Sequence, residues 1–310
     1  MKILISGSTG LVGTALTKAL ARQGHTVCRL IRPTTRIPLD ASGGFDVSWN
    51  PETSELGGAA VGADAVVNLS GASIAGKRWT RSQKEVLRSS RVRATRALVT
   101  ALGRMSAKPA VLISASAVGI YGSRGDEILT EESPPGNDFL ADLAREWETE
   151  ALKAEAFRTR VVLARFGVIL AGTGGALPVM MRPFRFGLGG RIGSGTQWVS
   201  WISLADVVGV LLRCLSSTPI TGAVEFGPIS GPVNVVAPQP VTNTEFTREL
   251  ARALHRPALI PAPAFALRLA LGEMADALLL ASQRAVPKKL LDSGYRFQHA
   301  DLRSALAASL

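Results

Sequence analysis

The sequence predicts an α/β protein with a doubly wound parallel sheet and a smaller, mixed α+β C-terminal part. Three observations support this prediction. The chain opens with a short apolar strand, a glycine-rich turn and a helical pattern. Strand-like and helix-like segments then alternate as far as residue 170, which favours parallel strands joined by crossover helices. Beyond residue 170 the alternation loosens, so we expect one core over 1–170 and a second part over 171–310, with some elements at about 196–226 returning to the core.

The first thirteen residues carry the clearest motif. Lys2–Ser6 is typical of a buried strand, and Gly7, Gly10 and Gly13 follow in a GxxGxxG spacing before a helical pattern. In a Rossmann-type core the first glycine permits a tight turn, the second lets phosphate approach the backbone and the third lets helix pack on strand. The helix N-terminus adds free N–H groups and a positive dipole end. An ordinary βα turn that needed glycines is the alternative. The predicted dinucleotide contacts here are Gly7, Ser8, Thr9, Gly10, Leu11 and Val12.

The second strand, predicted over His25–Ile31, indicates which dinucleotide binds. An acidic residue at the end of this strand would bind the ribose 2′-hydroxyl of NAD, whereas an arginine accommodates the 2′-phosphate of NADP. Arg32 stands at that end, Arg36 follows closely, and no acid is present. We therefore predict NADP as the cofactor, with NAD less favoured. Arg32 could instead be a solvated residue at a strand end.

The next strands, Phe45–Trp49 and a fourth over Ala63–Gly71, lead to the cofactor crevice. Ligands of open α/β sheets bind beyond the carboxyl ends of the strands. The fourth strand ends in small residues that would let a dinucleotide pass close, and a further strand is predicted over Pro109–Ala115. The contacts predicted at these two strand ends are Leu69, Ser70, Gly71 and Ser114.

Basic residues follow the fourth strand. Lys77 and Arg78 lie in a loop, and Arg91 lies on a long helix predicted over Arg81–Met105. They could face the crevice and bind an anionic or sugar-like substrate, although charged residues at such positions are usually solvated.

The remaining elements predicted are helices at 138–157, 203–215, 242–254, 261–285 and 300–308, strands at 160–170, 197–202, 224–226 and 233–235, and a glycine-rich flap at 187–195.

Bulk properties narrow the class of protein. The formal net charge of +11 comes from scattered basic residues without a basic tail or an aromatic-interleaved patch, so nucleic-acid binding is not predicted. No run of apolar residues is long enough for a membrane span, and no signal peptide precedes the first strand. The two cysteines, Cys28 and Cys214, stand in apolar runs and are predicted to be buried thiols. These features favour a cytoplasmic protein without a metal site, and a homodimer is possible.

Further motifs follow the glycine turn in order along the chain. They are Asn68-Leu69-Ser70-Gly71, Gly76-Lys77-Arg78-Trp79, Ser90-Arg91, Ser116-Ala117-Val118-Gly119-Ile120-Tyr121-Gly122, Asp138-Phe139-Leu140-Ala141, Glu146-Trp147-Glu148, Trp201-Ile202-Ser203-Leu204-Ala205-Asp206-Val207 and Val286-Pro287-Lys288-Lys289-Leu290-Leu291. Together these motifs resemble those of the extended short-chain dehydrogenase/reductases, and more narrowly an atypical nucleoside-diphosphate-sugar epimerase-like family with a C-terminal domain of unknown function. The resemblance runs nearly end to end, and it implies a Rossmann core with NAD(P) and a smaller substrate-binding part.

The sequence departs from that family at its acid/base pair. In the extended enzymes a Tyr-x-x-x-Lys pair exchanges a proton with a sugar hydroxyl, but the helix that begins near Asp138 holds neither residue. Ser116 matches the serine that hydrogen-bonds the reacting oxygen, and Tyr121 follows in the same segment. Ser116 and Tyr121 are therefore the predicted catalytic residues. A structural role for Tyr121 stays open, because a tyrosine without a nearby lysine is a poor base at neutral pH.

Two functions follow from these motifs. The first is an NADP-dependent epimerase or oxidoreductase acting on a sugar-like or phosphorylated small molecule. The second, favoured by the missing Tyr-x-x-x-Lys pair, is a sensor or scaffold that binds NADP without turnover. Binding of a partner that depends on which dinucleotide is bound would favour the sensor or scaffold over the enzyme.

Overall fold

The computed structural model describes residues 1–32, 44–216 and 228–310. Its strands and helices alternate through the first half of the chain, as the sequence predicts. The strands are β1 (Lys2–Ser6), β2 (Thr26–Ile31), β3 (Phe45–Asn50), β4 (Glu55–Leu56), β5 (Ala65–Asn68), β6 (Val111–Ala117), β7 (Ile128–Leu129), β8 (Arg160–Phe166), β9 (Val168–Leu170), β10 (Trp198–Val199), β11 (Trp201–Ser203), β12 (Gly231–Val235), β13 (Val241–Thr242) and β14 (Arg284–Ala285). The α-helices are α1 (Leu11–Arg22), α2 (Arg81–Arg88), α3 (Ala94–Arg104), α4 (Phe139–Leu152), α5 (Leu177–Arg185), α6 (Leu204–Leu215), α7 (Asn243–Ala253), α8 (Ala264–Leu271), α9 (Glu273–Ala275), α10 (Lys288–Asp292) and α11 (Leu302–Ser309).

One large sheet organises the described residues. Its strand order is β12-β8-β6-β5-β1-β2-β3-β4, and every neighbouring pair is parallel except the short edge pair β3–β4. The order runs in one direction from β1 to β3 and in the other from β5 to β12. The topological switch point therefore lies between β1 and β5, where doubly wound sheets bind their ligands.

Helices cover both faces of this sheet. Successive strand residues point to opposite faces, so the apolar residues of each strand need packing partners on both sides. Ile3 and Ile5 of β1 pack with α1 and α6 in one apolar cluster. Leu4, between them, packs on the other face with α3 and Ala151 of α4. All three strand residues are fully buried. The doubly wound architecture predicted from the strand–helix alternation is confirmed.

Two predicted strands are interrupted. The strand expected over 160–170 breaks at Gly167, where a Cβ atom would lie 2.5 Å from the Ser200 carbonyl oxygen. The strand expected over 197–202 breaks at Ser200. These breaks let β9 pair with β11 in a separate two-stranded sheet. Tight backbone packing between distant segments causes both interruptions, and no local pattern announces such packing.

The C-terminal half contributes elements to the core. Helix α6 packs against α1, and β12 forms the edge of the large sheet. The returning strand β12 lies just beyond the range expected to return, and the strand predicted at 224–226 falls outside the described residues. The segment 261–285, predicted to be helical throughout, contains α8, α9, a π-helical turn and then β14, with Gly272 at positive φ between the two helices.

A buried aspartate attaches the C-terminal segment to the core. The Asp206 carboxylate accepts hydrogen bonds from the backbone N–H groups of Gln298 (2.7 Å) and His299 (3.0 Å) and from the Ser203 hydroxyl (2.7 Å). Ser203 also caps α6, as its sequence predicts.

Over the described parts of the chain, no helix is long and apolar enough to cross a membrane. Cys28 and Cys214 are both buried free thiols, as predicted.

Candidate functional site

The glycine-rich turn lies at the switch point and has the geometry that phosphate binding needs. Gly7 has a φ of 77°, and a Cβ atom there would meet the Leu69 carbonyl group at 2.7 Å. A Cβ atom on Gly13 would lie 2.2 Å from the Gly7 carbonyl oxygen, so α1 packs on the turn only with glycine at this position. Gly10, the N-cap of α1, is exposed and has ordinary backbone angles, and a Cβ atom there would come no closer than 3.4 Å to protein. Two glycines are thus required by the fold, whereas Gly10 keeps open the approach to the helix N-terminus.

The predicted contacts around this turn differ in exposure. Ser8 is buried, Thr9 is exposed, and Leu11 and Val12 are half-buried at the start of α1. Across the switch point, the Ser70 hydroxyl is hydrogen-bonded to that of Ser6 at the end of β1. The turn after β5 therefore lies against the turn after β1.

A buried polar network supports the end of β5. The Asn68 side-chain amide donates to the Thr95 hydroxyl at 2.8 Å and to that of Ser114 at 3.5 Å. The Trp147 indole donates to the same Thr95 oxygen at 2.9 Å. Ser114 is 1% exposed, so the structure places it beneath the crevice rather than on its surface. Its predicted contact with the dinucleotide stays a prediction.

Arg32 follows β2 directly and is exposed. This is the position where a Rossmann core meets the adenosine ribose, and the guanidinium is accessible to a phosphate there. Arg36, the second residue predicted for that phosphate, lies outside the described residues.

The three predicted substrate cations have different surroundings. Lys77 and Arg78 are exposed, and Arg78 lies against Gly272, within 3.3 Å of where its Cβ would be. Arg91 is half-buried beside Gly71, at the crevice end of β5. Arg91 therefore adjoins Gly71, one of the predicted dinucleotide contacts.

The two predicted catalytic hydroxyls are buried and engaged. The Ser116 hydroxyl donates to a Glu148 carboxylate oxygen at 2.6 Å. The Tyr121 hydroxyl donates to Asn234 Oδ1 at 2.7 Å and accepts from Arg165 Nη1 at 3.0 Å. Tyr121 is 0% exposed, and burial raises its pKa above the ordinary tyrosine value. The geometry favours the structural interpretation of Tyr121, and a catalytic role for either hydroxyl stays a prediction.

A buried ion pair holds these hydroxyls. Arg165 forms a bidentate pair with Glu148, with Nε–Oε1 at 2.8 Å and Nη2–Oε2 at 2.9 Å. The hydrogen bonds from Arg165 to Glu148 raise the arginine pKa against the opposing effect of burial. Planar, bidentate pairing fixes both side chains. Since Arg165 lies on β8 and Glu148 on α4, the pair joins strand to helix beside Ser116.

Glu131 is a second buried carboxylate in this region. Its Oε1 atom accepts from the backbone N–H groups of Asn234 (3.0 Å) and Lys289 (3.3 Å). Its Oε2 atom has no hydrogen-bond partner among the described residues. Burial raises the pKa of Glu131, although these N–H groups and the Lys289 charge oppose the shift.

Sequence reasoning did not identify Glu148, Arg165, Asn234 or Glu131 as members of this network. One signal was available: Arg165 interrupts the apolar run that follows Arg160 in β8, and a charge in a buried strand needs a partner. Which residue becomes that partner depends on the tertiary structure.

No group of metal-binding side chains occurs within residues 1–32, 44–216 and 228–310.

The strand order, the turn over Gly7 and Gly13 and the open helix N-terminus define a Rossmann-type dinucleotide-binding protein. More narrowly, the chain belongs to the NAD dependent epimerase/dehydratase family, whose model matches residues 3–224. Residues 262–309 match a domain of unknown function, DUF1731. The resemblance to the epimerase-like family with such a C-terminal domain is confirmed.

Relatives cover nearly the whole chain. An epimerase family protein from Mycobacterium leprae is 42% identical over 306 residues, 98% of this chain and 94% of the relative. The epimerase family protein YfhF of Bacillus subtilis is 42% identical over 99% of this chain and 97% of its own length. The crystal structure of the human epimerase family protein SDR39U1 (isoform 2) with NADPH superposes with a TM-score of 0.86 at 32% identity, covering 100% of this chain and 99% of that one.

Proposed function

We propose that this protein binds NADP(H) at the switch point between β1 and β5 and acts there on a sugar-like or phosphorylated small molecule. The observation that carries the proposal is the contrast among the three glycines. Cβ atoms at Gly7 and Gly13 would collide with backbone, whereas Gly10 is exposed and a Cβ atom there would make only an ordinary contact, 3.4 Å from the Gly7 carbonyl oxygen. An open helix N-terminus beside a glycine turn is the usual site of a pyrophosphate.

The choice of NADP over NAD rests on Arg32. Its exposed guanidinium stands where the ribose 2′-position of a dinucleotide would lie, and arginine suits a phosphate there. The human relative crystallised with NADPH supports the same choice. In such a site the nicotinamide would exchange hydride with a substrate, while the protein binds and orients both.

The cofactor site does not by itself identify an acid/base group for that chemistry. Ser116 and Tyr121 are the candidates from the sequence, but both hydroxyls are committed to buried partners. This burial is the specific observation in favour of a second function, a sensor or scaffold that binds NADP(H) without turnover. Equal affinity of a partner protein for the NADP+-bound, NADPH-bound and cofactor-free forms would exclude the sensor.

The proposed cofactor is tested by calorimetric titration of NADP+, NADPH, NAD+ and NADH into the pure protein and into Arg32→Glu. We expect tighter binding of NADP(H) than NAD(H), and a loss of NADP(H) affinity of about tenfold or more in the variant, because a carboxylate would replace the phosphate ligand.

Arg104→Glu is the control. It makes the same charge change at the exposed C-terminal end of α3, which precedes the amino end of β6, whereas the crevice lies at the carboxyl ends of the strands; all four affinities should stay unchanged. Preference for NAD(H) would refute the assignment of Arg32, and failure to bind any of the four would refute the proposed function.

A further inference from the structure

A second cavity lies outside the crevice. It has a volume of about 850 Å³ and lies between α1 and α6, which pack on the large sheet, and α5 and α11 of the C-terminal half. None of the residues predicted to contact the dinucleotide lines it. Sites for small molecules have volumes of this order and occur preferentially where structural units meet. The cavity is therefore a candidate ligand site of its own.

Small and apolar side chains form much of the cavity wall. Ala15 and Ala19 contribute from successive turns of α1, and Val208 contributes from α6. Met181 of α5 and Leu254 are further apolar lining residues. The short side chains on α1 leave space that larger ones would fill. Walls of this kind suit the apolar body of a ligand, because covering them removes apolar surface from water.

Contacts elsewhere in the fold hold these walls in place. A Cβ atom on Gly172 would collide with the Ser309 carbonyl oxygen, so the end of α11 packs closely on the chain after β9. The Asp206 carboxylate fixes the backbone of residues 298–299, which forms another part of the wall. Asp206 itself is 0% exposed, so its charge does not reach the cavity. A ligand would therefore enter a preformed space and would not have to order its walls.

Two arginines give the cavity its charge. Arg22 at the end of α1 and Arg185 at the end of α5 line it, and both are exposed. Over the described ranges of the chain, neither has a carboxylate partner, and no Asp or Glu lines the cavity. By contrast, Arg252 of α7 and Arg303 of α11 both pair with Glu249. An anion entering the cavity would meet two guanidinium groups and no competing acid.

We propose that this cavity binds an amphipathic anion, a molecule with an apolar body and a carboxylate or phosphate head. The body would lie against the alanine face of α1. The head would be bound by Arg22 and Arg185, because the planar guanidinium group matches both kinds of oxyanion. The proposal does not depend on the proposed function, since it uses none of the crevice residues.

The test uses two ligands that share an apolar body and differ in the head, sodium octanoate and octyl phosphate. Octanol and sodium phosphate are the comparison ligands, because each lacks one half of the proposed chemistry. All four are titrated calorimetrically into the wild type, into the double variant Arg22→Gln, Arg185→Gln, and into Ala19→Leu, whose larger side chain would fill apolar space. Arg182→Gln is the matched control, because Arg182 is exposed on α5 but does not line the cavity.

We expect the wild type to bind at least one of the octyl anions more tightly than it binds octanol or phosphate. The double variant should bind that anion about tenfold more weakly, and Arg182→Gln should bind it like the wild type. Ala19→Leu should weaken the binding of the anion and of octanol alike, because it removes space and leaves the charge. Saturating NADPH should not abolish the binding. The tighter of the two anions would identify the preferred head.

The inference is overturned if neither octyl anion binds the wild type, or if the double variant binds within about threefold of it. Competition between NADPH and the octyl anion would place the anion in the crevice and would also overturn it. Failure of the wild type to bind NADPH would contradict only the proposed function, because titrations of cofactor-free protein still report on this cavity. Both arginines are exposed, so the double variant should fold even if Ala19→Leu did not, and thermal unfolding checks this.

Discussion

Tyr121 shows how burial decides what a single residue does. Its hydroxyl is 0% exposed and sits between Asn234 and Arg165, so both its donor and its acceptor capacities are used. Burial raises the pKa of this tyrosine, so at neutral pH a smaller fraction of it is ionised and able to accept a proton than of a solvated tyrosine. The same residue is a catalytic candidate by its place in the sequence and a structural one by its contacts.

Tyr121→Phe separates these two roles. Removing the hydroxyl leaves Asn234 Oδ1 without a donor and Arg165 Nη1 with one acceptor fewer, which should cost about 1–3 kcal/mol of unfolding free energy. NADPH affinity should stay within about threefold, because the network lies below the crevice. Chemical denaturation and NADPH titration measure the two effects.

Tyr295→Phe is the control for that variant. Among the described residues, the Tyr295 hydroxyl makes a single longer hydrogen bond, 3.3 Å to the Asp206 carbonyl oxygen, so its removal should lower the free energy of unfolding by less. If Tyr121→Phe were as stable as the wild type and abolished turnover of an identified substrate, the structural interpretation would be wrong.

At the scale of elements, the turn between β1 and α1 shows that equally spaced glycines have different physical roles. A Cβ atom on Gly13 would lie 2.2 Å from the Gly7 carbonyl oxygen, whereas one on Gly10 would lie 3.4 Å from the same oxygen, in ordinary van der Waals contact. The spacing predicted all three roles together, because the Rossmann turn requires them together. Only coordinates separate the glycine that packing needs from the one that a ligand needs.

Alanine substitutions should reveal this difference. Gly10→Ala should be within about 0.5 kcal/mol of wild-type stability, because its φ of −74° suits any residue, yet bind NADPH at least about tenfold more weakly. Gly13→Ala should lose about 1–3 kcal/mol, since a Cβ atom 2.2 Å from the Gly7 oxygen forces the backbone to move.

Thermal unfolding and NADPH calorimetry on the two variants provide the comparison. Each variant is the other's control, because the chemical change is identical and the positions are three residues apart. If the folded Gly10→Ala protein bound NADPH as tightly as the wild type does, no phosphate would approach the helix at Gly10.

At the scale of the whole molecule, two buried carboxylates join segments that are distant in sequence. Asp206 holds the backbone of Gln298 and His299, and Glu131 holds that of Asn234 and Lys289. Charged hydrogen-bond acceptors are stronger than neutral ones, which suits them to this task. Asp206 is satisfied by several donors, whereas one Glu131 oxygen has no partner within the described regions.

Glu131 should therefore make stability depend on pH. Its folded pKa is raised by burial, so the unfolded chain releases this proton at lower pH than the folded chain. Stability then falls as the pH rises from the ordinary glutamate value to the folded pKa, and stays lower above it. The Lys289 charge acts on the Glu131 carboxylate, and Lys288, Arg165 and Glu132 are further charged groups around it.

Glu131→Gln removes the titrating group and keeps an oxygen for the two backbone N–H groups. The melting temperature of Glu131→Gln minus that of the wild type should increase as the pH is raised from 4 to 7, because only the wild type loses stability by ionising a buried carboxyl group there. Glu132→Gln, at the exposed neighbour, should show no comparable trend. A difference in melting temperature between Glu131→Gln and the wild type that does not change with pH would refute this role for Glu131.

The sequence by itself determined the doubly wound core, the glycine turn, the helix caps and the family. These features depend on short-range rules: apolar periodicity, φ at glycine and side-chain caps act within a few residues. It also placed Arg91 among the candidate anion ligands, although it ranked Lys77 and Arg78 equally.

The tertiary structure alone decided which polar groups meet. Arg165 finds Glu148, Tyr121 finds Asn234 and Asp206 finds the 298–299 backbone across separations of 17 to 113 residues. Gly167 and Ser200 break two strands because separate segments pack there. Such pairings follow from how layers stack around the core, and burial then sets the pKa and accessibility of each group. The candidate site is therefore predictable in position from sequence, but its chemistry depends on burial and partners.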